Sequence, residues 1–128
     1  MYPLRCSTDM QKWSKYKIVI DIDGATYSSR FPLVLQLGSA VFKIKTFEDV
    51  GTIGAIPWVH YVPIKMDLSD LEEKLEWAKN NDEKLREIAE NGLRFSLRMH
   101  TKENYKCYIW HLLLKYKALM IKGGSLSS

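Results

Sequence analysis

Cysteine is scarce in this chain: Cys6 and Cys107 are the only two in 128 residues, and neither belongs to a Cys-x-x-Cys pair. That excludes the zinc and dithiol redox motifs, and spacing so wide assigns no disulfide. Histidine is also sparse. His60, His100 and His111 are scattered, with no Cys or His partner at ligand spacing, so they read as surface or packing residues and no metal is expected. Long apolar runs are missing: none approaches the ~20 residues of a membrane span. The opening Met1-Tyr2-Pro3-Leu4-Arg5-Cys6 lacks the apolar core of a secretory leader. Taken literally, the sequence is expected to be soluble and not secreted. No internal repeat is present.

A large excess of charge of one sign is absent as well, with 19 basic against 15 acidic residues. The net charge is +4 and spread along the chain, densest at Lys115, Lys117 and Lys122. Such an excess reads as solvated helix faces, not as a nucleic-acid surface, so no nucleic-acid partner is expected. With 46% hydrophobic and 27% charged residues, the composition is that of one globular domain or a fragment of something larger. A chain of this length buries roughly two-thirds of its unfolded surface, enough for one core.

What is present is a β-branched run entering a glycine: Lys17-Ile18-Val19-Ile20-Asp21-Ile22-Asp23-Gly24, followed by Ala25-Thr26-Tyr27-Ser28-Ser29-Arg30-Phe31-Pro32. Residues 16–22 predict a buried strand and residues 29–37 a short helix, with Pro32 in its first turn and Gly38 as its stop. Residues 40–44 predict a second strand, which makes a βαβ unit with a parallel pair. Residues 58–64 predict a third strand, with Pro63 near its end. Residues 1–14 read as an irregular segment, and Gly51, Gly54 and Pro57 punctuate residues 46–57.

The second half predicts three helices. Ser69-Asp70-Leu71-Glu72 has the pattern of a capping box and starts the first, with Leu71, Leu75 and Ala78 as its apolar stripe. Asn80-Asn81-Asp82 breaks it and caps the second, whose buried face is Leu85, Ile88, Ala89 and Leu93. The third runs from about Glu103 to Met120, and its aromatics read as core. Residues 15–121 are thus expected to form the domain, and residues 122–128 a disordered tail.

The loop from Gly24 to Arg30 is the leading candidate for chemistry. A strand–loop–helix with two serines and an arginine reads as a diphosphate cradle, Arg30 donating to the phosphates and Ser28 and Ser29 adding N–H and hydroxyl donors. The other reading is an ordinary strand–helix turn with a capping serine, since one glycine is weaker than a full phosphate-loop motif. Glu48-Asp49 reads either as a ribose-hydroxyl acceptor or as solvated charge. Asp21 and Asp23, alternating with isoleucines, read equally as structural or catalytic.

Several blocks in order resemble glycosyltransferase family 90. These are Lys15-Tyr16-Lys17, Asp23-Gly24, Tyr27-Ser28-Ser29-Arg30-Phe31 and Gly38-Ser39-Ala40-Val41-Phe42-Lys43. The most distinctive block is Pro57-Trp58-Val59-His60-Tyr61-Val62-Pro63-Ile64-Lys65, followed by Asp67-Leu68-Ser69-Asp70-Leu71. Glu76-Trp77-Ala78-Lys79-Asn80-Asn81-Asp82, Ile88-Ala89-Glu90-Asn91-Gly92 and Cys107-Tyr108 continue it. The resemblance covers roughly residues 15–119.

The resemblance implies an α/β fold: the Rossmann-like, donor-binding C-terminal half of a two-domain GT-B enzyme, with a short parallel sheet followed by three helices. It implies that Thr26, Tyr27, Ser28, Ser29 and Arg30 contact a UDP-sugar, UDP-glucose or UDP-xylose, and that the sugar passes to a serine of an acceptor protein. Asp49 aligns with an acid of the family's donor site, with Phe47 in place of the preceding tryptophan. Val50-Gly51-Thr52-Ile53-Gly54 replaces the aromatic run that follows that acid. Ser14 and Leu37 stand where relatives have a cysteine pair. The family's catalytic base belongs to an N-terminal domain, so none is expected in this chain, and that domain is an expected partner. GT-B chemistry implies no metal or other cofactor, because arginine and fixed backbone donors hold the diphosphate charge. The implied compartment is the endoplasmic reticulum lumen or the Golgi, for which the chain shows no leader and no retention signal. An inactive glycosyltransferase-like module acting in protein interaction is the other expectation.

Overall fold

The computed structural model describes residues 9–46 and 51–124. The chain divides into two units, Met1–Arg98 and Met99–Ser128. The first is built on strands β1 (Ile18–Ile22), β2 (Ala40–Ile44) and β3 (Val62–Ile64), with helices α1 (Phe31–Leu35), α2 (Leu71–Asn80) and α3 (Asp82–Met99). The second holds α4 (Lys102–Gly124).

The strands form one parallel sheet in the order β1-β2-β3. Strand side chains alternate between faces, and that sorts the core into two clusters. Ala40, Phe42, Ile44, Val62 and Ile64 face α2 and α3, where Ala78, Leu85, Ile88 and Ala89 meet them. Val19, Val41 and Tyr61 face the other way, onto Phe31, Val34 and Leu35 of α1. Further along α3, Phe95 packs on that second cluster, and the buried Ser96 hydroxyl donates to the Pro32 carbonyl at 2.7 Å. α3 therefore joins both layers.

Strand β2 occupies the expected residues, and its parallel pairing with β1 through α1 is the predicted βαβ unit. Gly38, at φ +77°, makes the turn between α1 and β2. Several expectations need correcting, the first being the buried first strand: β1 is covered on one face only, with Ile20 and Ile22 exposed on the other. Met10–Lys15 form a 3-10 helix, where residues 1–14 were expected to be irregular, and it is opened by Asp9, whose carboxylate accepts the Gln11 N–H. Strand β3 is shorter than expected because Trp58 adopts φ 64° and the Ile56 N–H donates to His60 Nδ1 at 2.9 Å, which turns the chain back. The capping box does not form: Asp70 is the N-cap of α2 and makes no side-chain cap bond.

The Asp70 carboxylate looks outward from the helix instead. It accepts the Lys65 N–H at 2.9 Å and pairs with Lys74, whose ammonium also donates to the Pro63 carbonyl. Chiefly that Lys74 hydrogen bond, opposed by burial, holds the Asp70 carboxyl below its ordinary range. These contacts fasten the loop after β3 to the first turn of α2.

In the second unit, α4 runs to Gly124, beyond Lys122 where a tail was expected, and residues 125–128 lie outside the described residues. Its aromatics, expected to be core, are exposed: Tyr108, Trp110 and Tyr116. His111 Nδ1 lies 2.9 Å from the Cys107 carbonyl oxygen, one turn back. No described helix is long and apolar enough to cross a membrane.

Candidate functional site

In an open parallel sheet, ligands bind beyond the carboxyl ends of the strands, where the connecting loops diverge. Here a cleft of about 340 Å³ lies at that end, walled by Ile22, Ile44, Met66 and Leu68 and floored by Asp23 and Gly24. A cleft of about 390 Å³ at the opposite end is lined by Lys15, Arg86 and the paired Lys17 and Asp82, and it lies at the amino ends of the strands. The carboxyl-end cleft is the candidate site on these grounds.

Its walls follow from local sequence. Ile22 and Ile44 are register partners at the ends of β1 and β2. Leu68 holds φ 61°, a left-handed conformation that a leucine adopts at a cost of order 1–3 kcal/mol. The turn is closed by Leu68 N–H to the Lys65 carbonyl at 3.0 Å and by Leu71 N–H to the Leu68 carbonyl at 3.1 Å. It leaves Met66 and Leu68 exposed.

The loop that borders the cleft is held by buried charge. Asp21 and Asp23 lie two residues apart, so both address the α1 side of the sheet. Lys43 is the register partner of Asp21, and its side chain is fully buried. Its ammonium lies 2.7 Å from Asp21 Oδ2 and also pairs with Asp23 Oδ1. The remaining carboxylate contacts shape the loop. Ser28 Oγ donates to Asp21 Oδ1 at 2.7 Å, the Ser28 N–H to Asp23 Oδ1 at 3.0 Å, and the Thr46 N–H to Asp23 Oδ2 at 2.8 Å.

This arrangement divides the predicted site residues. Thr26, Tyr27, Ser29 and Arg30 are exposed together on the loop, whereas Ser28 is buried with both its donors engaged by carboxylates. Arg30 is half exposed, with Nε 3.5 Å from Asp21 Oδ1 and an Nη2 hydrogen bond of 3.0 Å to the Ile22 carbonyl. Among the described residues, its other N–H groups have no acceptor. α1 has only five residues, so the arginine and not a helix dipole is the main positive element here. Asp49, with its neighbours Phe47, Glu48 and Val50, lies outside the described residues. Among those described, no group of three or more His, Cys, Asp or Glu side chains is placed to hold a metal.

Sequence reasoning missed Lys43, Met66 and Leu68. A detectable signal existed for the first: two aspartates on one face of a buried strand require a cation opposite, and Lys43 is the one charged residue inside the second strand. No sequence signal marked the leucine's backbone conformation.

The chain matches a family model described as glycosyl transferase family 90, over residues 4–123. It is 36% identical over 115 residues to the uncharacterized protein 179R of Invertebrate iridescent virus 6, covering 84% of this chain and 10% of that protein. It is 38% identical over 108 residues to zebrafish (Danio rerio) protein O-glucosyltransferase 2, covering 84% of this chain and 22% of that protein. It is 36% identical over 108 residues to human protein O-glucosyltransferase 1, covering 83% and 27% respectively. The chain therefore spans well under a third of these relatives.

Proposed function

The chain belongs to glycosyl transferase family 90, and from that premise we propose that it is the donor-binding part of a protein O-glycosyltransferase. The donor is UDP-glucose or UDP-xylose, and the acceptor is a serine of a second protein. The sheet is then part of the Rossmann-like C-terminal half of a GT-B enzyme. The observation that carries this reading is Arg30, a half-exposed guanidinium held on the carbonyl of Ile22, a residue of the cleft wall.

In this reading Arg30 receives the diphosphate, and Thr26, Tyr27 and Ser29 supply donors around it. Ile22, Ile44, Met66 and Leu68 form an apolar seat suited to the flat uracil ring. Asp49 takes a ribose hydroxyl. Ser28 contributes from beneath, by holding the loop. The acceptor serine oxygen attacks C1 of the sugar, the bond from C1 to the diphosphate oxygen breaks, and UDP leaves carrying the charge that Arg30 stabilises. The serine proton passes to a base outside this chain, and no metal or other cofactor takes part. The acceptor protein and an N-terminal domain are the macromolecular partners, and the reaction belongs to the lumen of the endoplasmic reticulum or the Golgi.

The test is calorimetric titration of the 128-residue chain with UDP, UDP-glucose and UDP-xylose. Saturable binding is expected, and Arg30→Ala is expected to weaken it about tenfold or more, the scale of a lost charge-assisted contact. A folded chain that binds none of the three refutes the reading and favours a module acting in protein interaction.

A further inference from the structure

We propose that Asp21 is a positioning residue for Arg30, and that Lys43, clamped between Asp21 and Asp23, is the buried counter-charge that lets it be one. The inference rests on the donor-binding reading and extends it to residues that touch no ligand. Asp21 is almost wholly buried and divides its two oxygens between different tasks. Oδ2 takes the Lys43 ammonium, and Oδ1 takes both the Ser28 hydroxyl and the nearby Arg30 Nε. Among the described residues the guanidinium is therefore held at two points, the Asp21 ion pair and the Ile22 carbonyl, and its remaining hydrogens are left for an external anion.

Charge balance explains why Lys43 belongs there. Two buried carboxylates with one arginine would leave a net negative charge beneath an anion site and would compete with a diphosphate for that arginine. Lys43 cancels one of them: Asp21 and Asp23 against Lys43 and Arg30 sum to zero. The incoming diphosphate then meets a guanidinium whose partner is already shared. The packing of Lys43 against the Phe31 ring, at 5.3 Å, keeps the ammonium out of water and fixed in place.

Positioning and simple charge predict opposite signs, and this makes the test decisive. Asp21→Asn removes a negative charge near the anion. If only net charge mattered, UDP would bind more tightly. If Asp21 positions Arg30, UDP binds about tenfold more weakly, while uridine, which lacks phosphate, changes by less than about twofold. A general structural lesion would weaken both ligands together. A second variant, Ser28→Ala, leaves no charge unpaired and is expected to weaken UDP about threefold with uridine unchanged, so the test survives if Asp21→Asn does not fold. A ligand-free readout accompanies both: water exchange of the Arg30 Nε–H proton is expected to be faster in Asp21→Asn than in the parent chain, because the Nε–Asp21 ion pair is lost. If the parent chain binds no UDP, the donor-binding reading fails, and the exchange measurement still judges whether Asp21 holds Arg30. If the parent binds UDP and the variants bind it equally well or better, or if the Nε–H exchange is unchanged, the positioning role is overturned and the reading of the site stands.

Discussion

Replacing Gly92 with alanine should destabilise the first unit, although alanine is the better helix former. Gly92 lies inside α3 and is buried where the helix presses on the turn before β3. A Cβ there would stand 2.6 Å from the His60 carbonyl oxygen and 2.9 Å from Leu35 Cδ2, well inside the ~3.5 Å of ordinary contact. The oxygen belongs to the backbone of a turn held by its own hydrogen bonds, and Leu35 sits in the core, so neither yields cheaply. Helix propensity favours alanine by ~1 kcal/mol. Overpacking of this kind costs ~1–3 kcal/mol, and a backbone contact falls in the upper half of that range. The net loss is about 1–2 kcal/mol, a fall of roughly 4–8 °C in Tm for a chain of this size. Gly24→Ala is the control, because nothing lies within 4 Å of its added Cβ, and it should shift stability by less than about 0.5 kcal/mol. Paired thermal and urea melts decide the matter. A Gly92→Ala chain as stable as its parent would mean that α3 does not approach the turn as described.

Lys43→Met should cost about 3–5 kcal/mol in urea unfolding, because it removes the buried ammonium that Asp21 and Asp23 share and leaves Asp21 only the half-exposed Arg30; a loss below about 1 kcal/mol would show that the carboxylates are solvated or otherwise paired. His60 supplies a pH signature. Burial lowers its pKa from 6.5, and its Nδ1 accepts the Ile56 N–H, which a ring protonated at that nitrogen cannot do. The unfolded chain therefore binds a proton that the fold excludes. This contribution is fully present above 6.5 and is lost as pH falls from 6.5 through the lower folded value. Urea midpoints followed from about pH 7.5 down to about pH 5 should drop, and His60→Gln should remove that component; identical profiles for parent and variant would contradict it.

The βαβ unit was legible because its signals are local. Val41 and Phe42 lie between a turn glycine and a polar stretch, and Pro32 and Gly38 bracket α1. Strand β3 was overread because Trp58, Val59, His60 and Tyr61 have strand-forming side chains, and the positive φ of Trp58 depends on tertiary contacts that no propensity records. The helix start at Leu71 was legible although its cause was not. Asp70 turns to Lys65 and Lys74, a choice set by the loop before it. In the candidate site, exposed Thr26, Tyr27, Ser29 and Arg30 stand on one loop as their sequence order required. What could not be read was the depth of Ser28, since hydroxyls are ordinarily counted as surface, whereas that of Lys43 was legible only through the two aspartates that face it.

The triad of Asp21, Asp23 and Lys43 also bears on how the chain finds its sheet. A strand that slips by one residue presents every side chain to the opposite face. Such a slip of β1 against β2 would move both aspartates to the face where Ile20 and Ile22 now stand exposed, and would leave Lys43 buried alone beside Phe31. Isoleucines recur along β1 and would tolerate the shift, but a buried ammonium parted from both its carboxylates would not. The buried ions thus act as a proofreading mark on strand alignment, favouring the register in which Lys43 meets both its carboxylates.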